Sequence, residues 1–134
     1  MSSVVIDASV LLQVARLEPG YEKVLPRLYH GKVSAVNLAE ALNVLVRDGV
    51  PPAAAEAAIR PLARHIMPFT PEHAFEVAAV RAVVGKGDFS LGDAACIAVA
   101  RVGKAPVLTN DRAWAGYDFG VSLEFGRPHG KGHK

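Results

Sequence analysis

Apolar residues fall along the chain in two patterns, short β-branched runs and longer stretches with helical spacing, and the two alternate. Val4-Val5-Ile6 is wholly apolar, as a strand buried on both faces requires. Val10 to Leu17 has helical spacing and stops at Glu18-Pro19-Gly20, and a second short helix runs from Tyr21 towards Leu28. Val33-Ser34-Ala35-Val36 reads as the second strand, followed by helix from Leu38 to Val46 that ends at Asp48-Gly49. Pro51-Pro52 opens the next helix, because proline suits a first turn where its missing N–H is not needed. Ile66-Met67-Pro68-Phe69 is the third strand, and Pro68, which cannot donate to a ladder, places it at a sheet edge. Thr70-Pro71-Glu72 caps a helix to about Val84. Ser90 starts another that is apolar nearly all round, through Ala94, Ala95, Ile97, Ala98, Val99 and Val102, so it is expected between the sheet and other helices. Pro106 to Thr109 is the fourth strand and Val121 to Phe125 a short fifth. This alternation predicts a three-layer α/β domain, a parallel sheet with crossover helices on both faces.

The 134 residues suffice for one domain, expected over residues 1–125. A basic tail of Gly, His and Lys over 126–134 is expected to be disordered, and its two histidines are assigned no role. With 51% hydrophobic and 21% charged residues the chain is not a disordered one. Arg16, Glu22, Arg47 and Arg81 keep every apolar run short of the roughly 20 residues of a membrane helix. The N-terminus, passing at once into Val4-Val5-Ile6 and Asp7, does not read as a signal peptide. The single cysteine, Cys96, cannot form an internal disulfide, which predicts a reducing cytoplasm. Mean hydropathy of +0.22 is high for this size. Abundant buried alanine and valine would explain it, and so would an apolar face kept for a partner.

A net charge of +2 is too small to hold nucleic acid by charge alone. Such a partner would need carboxylates gathered in one place to offset bases elsewhere. Four acids share the required context. Asp7 ends the first strand and Asp111 follows the fourth, while Glu40 and Asp93 are expected in the first turns of helices, three residues after Asn37 and Ser90. Strand ends and helix starts of a parallel α/β sheet line one edge, where ligands bind. Taken singly, Glu40 and Asp93 are explained by helix capping and Asp111 by a loop or cap. Asp7 is harder to explain that way, since a charge directly after an apolar strand is costly to desolvate. As a set, four acids repel one another until a cation joins them. Oxygen-only ligands select a hard ion, Mg2+ or Mn2+, which suits phosphodiester chemistry.

Asp7-Ala-Ser9 and Glu40 resemble the opening acids of PIN domains. Phe89-Ser90-Leu91-Gly92-Asp93-Ala94 closely resembles the Ser-Leu-Gly-Asp segment of the VapC-type toxins of VapBC toxin–antitoxin pairs, and Leu108-Thr109-Asn110-Asp111-Arg112-Ala113-Trp114 resembles their next signature. The likeness runs from Val4 to about Phe125. It implies a sheet order of 3-2-1-4-5 and an endoribonuclease toxin in which Asp7, Glu40, Asp93 and Asp111 bind Mg2+ or Mn2+ and direct water at RNA. It implies support from Ser9 and Asn110, a homodimer, and a cognate VapB-type antitoxin laid across the acidic groove in a hetero-oligomer. Two rivals stand beside it: a phosphoacceptor receiver-type signalling domain, and a PIN-like module that binds without cleaving.

Arg112, next to Asp111, is a candidate contact for a carboxylate or a substrate phosphate. Asp88 reads as a solvated loop residue and Cys96 as a packed core thiol, with nothing local to lower its pKa. Trp114 and Phe119 read as core rather than as base-stacking platforms, and His30, His65 and His73 have no ligand spacing.

Overall fold

The computed structural model describes residues 3–128. Among them the chain forms β1 (Val5–Ile6), α1 (Ala8–Ala15), α2 (Tyr21–His30), β2 (Val33–Ser34), α3 (Ala35–Arg47), α4 (Pro52–Ile59), β3 (Ile66–Met67), α5 (Pro71–Val84), α6 (Leu91–Gly103), β4 (Val107–Thr109) and β5 (Leu123–Phe125). A 3-10 turn over Arg112–Gly116, which the hydrophobic pattern does not predict, follows β4.

All strand pairing is parallel: β1 with β4, β4 with β5, and β2 with β3. One bridge, between Val5 and Lys32, joins the two groups, so the strands run 3-2-1-4-5 across the molecule. The join is narrow, with Ile6 N donating to Lys32 O at 2.8 Å and Lys32 N to Val4 O at 2.9 Å. β3 lies at the edge that Pro68 demanded. In this order β2 lies between β3 and β1, whereas the receiver-type order 2-1-3-4-5 puts β1 between β2 and β3. The phosphoacceptor alternative therefore does not fit the topology.

Alternation along the strands produces the three layers. Ile6 and Leu108, paired across β1 and β4, belong to a core with α1, α2, α3 and α4. Val5 and Val107, also paired, point the other way into a core with α5 and α6. α6 is buried without a break from Ala94 to Ala100, lying between the strands, α3 and α5 as its all-round apolarity predicted. Trp114 and Phe119 complete that core against Phe89, with ring centroids 5.3 Å and 5.4 Å from it.

β3 stops at Met67, short of Pro68 and Phe69, and β5 begins at Leu123 instead of Val121. Three further differences bear on the site or its surroundings. α1 begins at Ala8, directly after Asp7, instead of at Val10. β2 stops at Ser34, because the Ser34 hydroxyl accepts from Val36 N at 3.0 Å and starts α3 three residues before Leu38. Glu40 is thus in the second turn of α3, and Asn37 is not its cap. At the other end the packed chain runs on past Phe125: Gly126 N donates to Thr109 O, and Arg127 pairs with Glu18. The rest of the expected disordered tail, 129–134, lies outside the described residues.

Candidate metal centre

Asp7 sits at the carboxyl end of β1 as the residue preceding α1, yet its side chain makes no cap bond. Its Oδ2 instead accepts from the Ser9 hydroxyl at 2.6 Å and the Thr109 hydroxyl at 2.9 Å. The residue is only 4% exposed. Burial pushes its carboxyl above the usual range, the two hydroxyls pull it back in part, and the charge of Asp93 pushes it up again.

Glu40 projects from α3 against the start of α6. Asn37, one turn earlier and fully buried, donates from Nδ2 both to Glu40 Oε1 (3.2 Å) and to Gly92 O (3.0 Å), tying the two helices together. A Cβ at residue 92 would stand 2.8 Å from Glu40 Oε1, so only glycine leaves room for this carboxylate. Burial raises the Glu40 carboxyl, the Asn37 amide opposes it, and the charges of Asp7 and Asp93 add to the rise.

Asp93 completes the capping box read from the sequence. Ser90 Oγ accepts from Asp93 N at 3.0 Å, and Ser90 N donates to Asp93 Oδ2 at 3.1 Å. Its carboxyl is nonetheless raised, first by burial and then, against the bonds to Ser90, by the charges of Asp111 and Asp88. The local capping role and the shared acidic edge coexist in one side chain. Asp111 is exposed beyond β4, where Oδ1 accepts from Ala113 N at 3.1 Å and starts the 3-10 turn.

All four acids therefore stand at the carboxyl edge of the sheet; Asp7 and Asp93 act on Glu40, Asp93 acts on Asp7, and Asp111 acts on Asp93. Cys96, beneath them on α6, feels three of them: burial and then the charges of Asp7, Asp93 and Glu40 drive its thiol well up, which leaves it an inert core residue. Among the described residues no three His, Cys, Asp or Glu side chains are already close enough to chelate an ion as they stand. The donors are all oxygen, three of them partly desolvated and raised by neighbouring carboxylates, which is what a hard divalent cation relieves. A cavity of about 710 Å3 lies elsewhere, at the amino edge of the sheet around Pro106, Ser122 and the Arg101–Glu76 ion pair, and none of the four acids lines it.

The supporting residues form a chain of bonds. Asn110 N donates to Ser9 Oγ at 3.0 Å, and Asn110 Nδ2 donates to Gln13 Oε1 at 2.9 Å. Gln13, fully buried on α1, donates in turn to Pro19 O and Gly126 O. Arg112 turns away from the carboxylates; its guanidinium lies 4.3 Å from the centroid of the Phe125 ring and donates to Arg127 O. Sequence pattern does not single out Thr109, Asn37, Gln13 or Gly92 as site residues. Two signals are available: Thr109 is a hydroxyl ending an otherwise apolar strand, and Gly92 directly precedes Asp93 in the Ser-Leu-Gly-Asp stretch. His73, which has no ligand spacing, is buried and caps α5 with Thr70.

The family model described as PIN domain matches residues 4–120. No curated protein matches the chain. Among solved structures, DNA-bound VapBC from Salmonella typhimurium superposes with a TM-score of 0.76 at 15% identity, covering 95% of this chain and 100% of that one. VapBC-5 from Mycobacterium tuberculosis, of the VapBC family of toxin–antitoxin systems, gives 0.66 at 25% identity, covering 91% and 95%. Mycobacterium tuberculosis VapC20, a Sarcin-Ricin loop cleaving toxin, gives 0.65 at 19% identity, covering 86% and 96%. With strand order, acid edge and family match in agreement over almost its whole length, the chain belongs to the PIN domain family.

Proposed function

We propose that the chain is a Mg2+- or Mn2+-dependent endoribonuclease, the toxin of a VapBC-type toxin–antitoxin pair. The reading is supported by three carboxyls at one sheet edge, those of Asp7, Glu40 and Asp93, each raised first by burial and then by neighbouring carboxylate charge, with Asp111 among those acting on Asp93. Those four side chains would hold the ion. A bound divalent cation supplies the positive charge that offsets a phosphodiester and makes water more acidic. The chain's own part is to keep the acids ionised and placed. The Ser9 and Thr109 hydroxyls hold Asp7, the Asn37 amide holds Glu40, and the Ser90 backbone N–H holds Asp93. The Asn110–Gln13 contact fixes Ser9 from behind.

One solved relative is named as a member of the VapBC family of toxin–antitoxin systems, and another as a Sarcin-Ricin loop cleaving toxin. By that likeness the partners are an RNA substrate, a VapB-type antitoxin and a second copy of the chain. The cytoplasm is the fitting compartment for a chain whose one cysteine is a buried free thiol.

The test is cleavage of total RNA by the purified chain with EDTA, Mg2+ or Mn2+, beside Asp7→Asn, Glu40→Gln, Asp93→Asn and Asp111→Asn. Each variant should keep its circular dichroism and lose cleavage by orders of magnitude, because each supplies charge to one cation site. Full activity in any two of the four would remove the assignment. RNA binding without metal-dependent cleavage in the wild type would favour a module that binds without cutting.

A further inference from the structure

A second feature lies beside the acids, on the far side of Asn110. Between the first turns of α2 and the end of β5 is a cleft of about 340 Å3, floored by Leu108 and Phe125 and walled by Lys23, Arg27, Gly126 and Arg127. Three cations line it and no acid does. Glu124 pairs with Arg27 and Glu18 with Arg127, while Lys23 has no ion-pair partner among the described residues. Lys23 sits three residues after the Gly20 cap of α2, where a cation faces the positive end of the helix and is disfavoured by local physics. An anionic ligand in the cleft would reverse that disadvantage.

The cleft is built onto the acid site. Gly126 N donates to Thr109 O at 3.2 Å, and Arg112, the residue after Asp111, donates to Arg127 O at 2.8 Å. Gly126 permits this junction, since a Cβ there would stand 2.8 Å from Gln13 Oε1 and 3.0 Å from Asn110 Oδ1. The geometry points to the Lys23–Arg27–Arg127 cleft as a subsite for the phosphodiester backbone of single-stranded RNA, holding phosphates next to the one over the four acids. This rests on the nuclease reading and deepens it. The acids repel RNA in the absence of a cation, so an adjoining cationic surface supplies the attraction that a net charge of +2 spread over the whole molecule does not.

The test follows binding of a short fluorescent single-stranded oligoribonucleotide to the full chain by anisotropy, in EDTA to prevent cleavage, over a salt series. Lys23→Gln and Arg127→Gln should each weaken binding several-fold at low salt and reduce the slope of log K against log salt by about 0.7 for each phosphate no longer neutralised. Glu18→Gln, which releases Arg127 from its pair, should tighten binding. Exposed ion pairs contribute little to folding, so melting curves should stay close to wild type. Unchanged slopes in all three variants, with wild-type cleavage in Mg2+ or Mn2+ intact, would overturn the subsite and leave the nuclease standing. A wild type that neither binds nor cleaves RNA would overturn both. Variants that spare RNA binding but weaken the hold of a protein partner would make the cleft a protein-docking surface instead.

Discussion

Gly92 lies directly against the carboxylate of Glu40, with no room between them for a methyl group. Gly92→Ala should therefore turn Glu40 away from its neighbours without unfolding the chain. Alanine favours a helix over glycine by about 0.5–1 kcal/mol, which offsets part of the collision. The expected outcome is a melting temperature near that of wild type with cleavage lowered at least tenfold. Wild-type cleavage would show that Glu40 does not need this position.

Thr109 ties the two ends of the acid set together, donating its hydroxyl to Asp7 Oδ2 and accepting from Asp111 N at 3.1 Å. Thr109→Val removes both bonds with little change in shape, and a bond to a charged group contributes about 1.5–3 kcal/mol. Because the hydroxyl favours the ionised carboxyl, its loss should also move the acid limb of the cleavage–pH profile to higher pH. Thr109→Ser should restore both stability and profile. A valine variant with an unshifted profile would deny Thr109 any part in tuning Asp7.

The raised carboxyls of Asp7, Glu40 and Asp93 imply a pH dependence of folding in the metal-free chain. A carboxyl that protonates more readily in the native state draws protons into it, so its penalty is full above its folded pKa and relieved as pH falls through that value. In EDTA the urea midpoint should rise as pH is lowered from neutral towards the ordinary carboxylate range. Asp48, held low by Arg47 and Arg16 on the surface, acts in the opposite sense at lower pH. Asp7→Asn should flatten the rise. An equal rise in this variant would place its origin outside the acid edge.

A cation that binds only the folded chain stabilises it by mass action, about 2.7 kcal/mol at a hundred times its dissociation constant. Mn2+ or Mg2+ should accordingly raise the melting temperature of the wild type. Asp7→Asn should start higher, through reduced repulsion, and respond little. Equal shifts in the two proteins would locate the ion elsewhere.

What can be read from the sequence is local or periodic. The Ser90–Asp93 box needs only a spacing of three, and the two-sided burial of β1 needs only three apolar residues in a row. The assignment of Asn37 as a cap fails because a strand end depends on its neighbour strand. β2 pairs with β3 for just two residues, and the Ser34 hydroxyl then captures the helix start. The partners of the acids are hidden for a related reason. Thr109 meets Asp7 across 102 residues, and Gln13 reaches Gly126 across 113. No spacing rule connects positions that far apart. The acids themselves stand out because charges at the ends of apolar strands are costly wherever they occur.

The bond between Asp7 and Thr109 also bears on the order in which the protein is made. β1 leaves the ribosome well before its parallel partner β4 and before Asp111, and Thr109 follows Asp7 by 102 residues. Until they emerge, Asp7 has neither the strand that buries it nor the hydroxyl that holds it. A nascent chain that stops short of β4 therefore carries no assembled acid edge, and the edge is completed only when β4 joins β1.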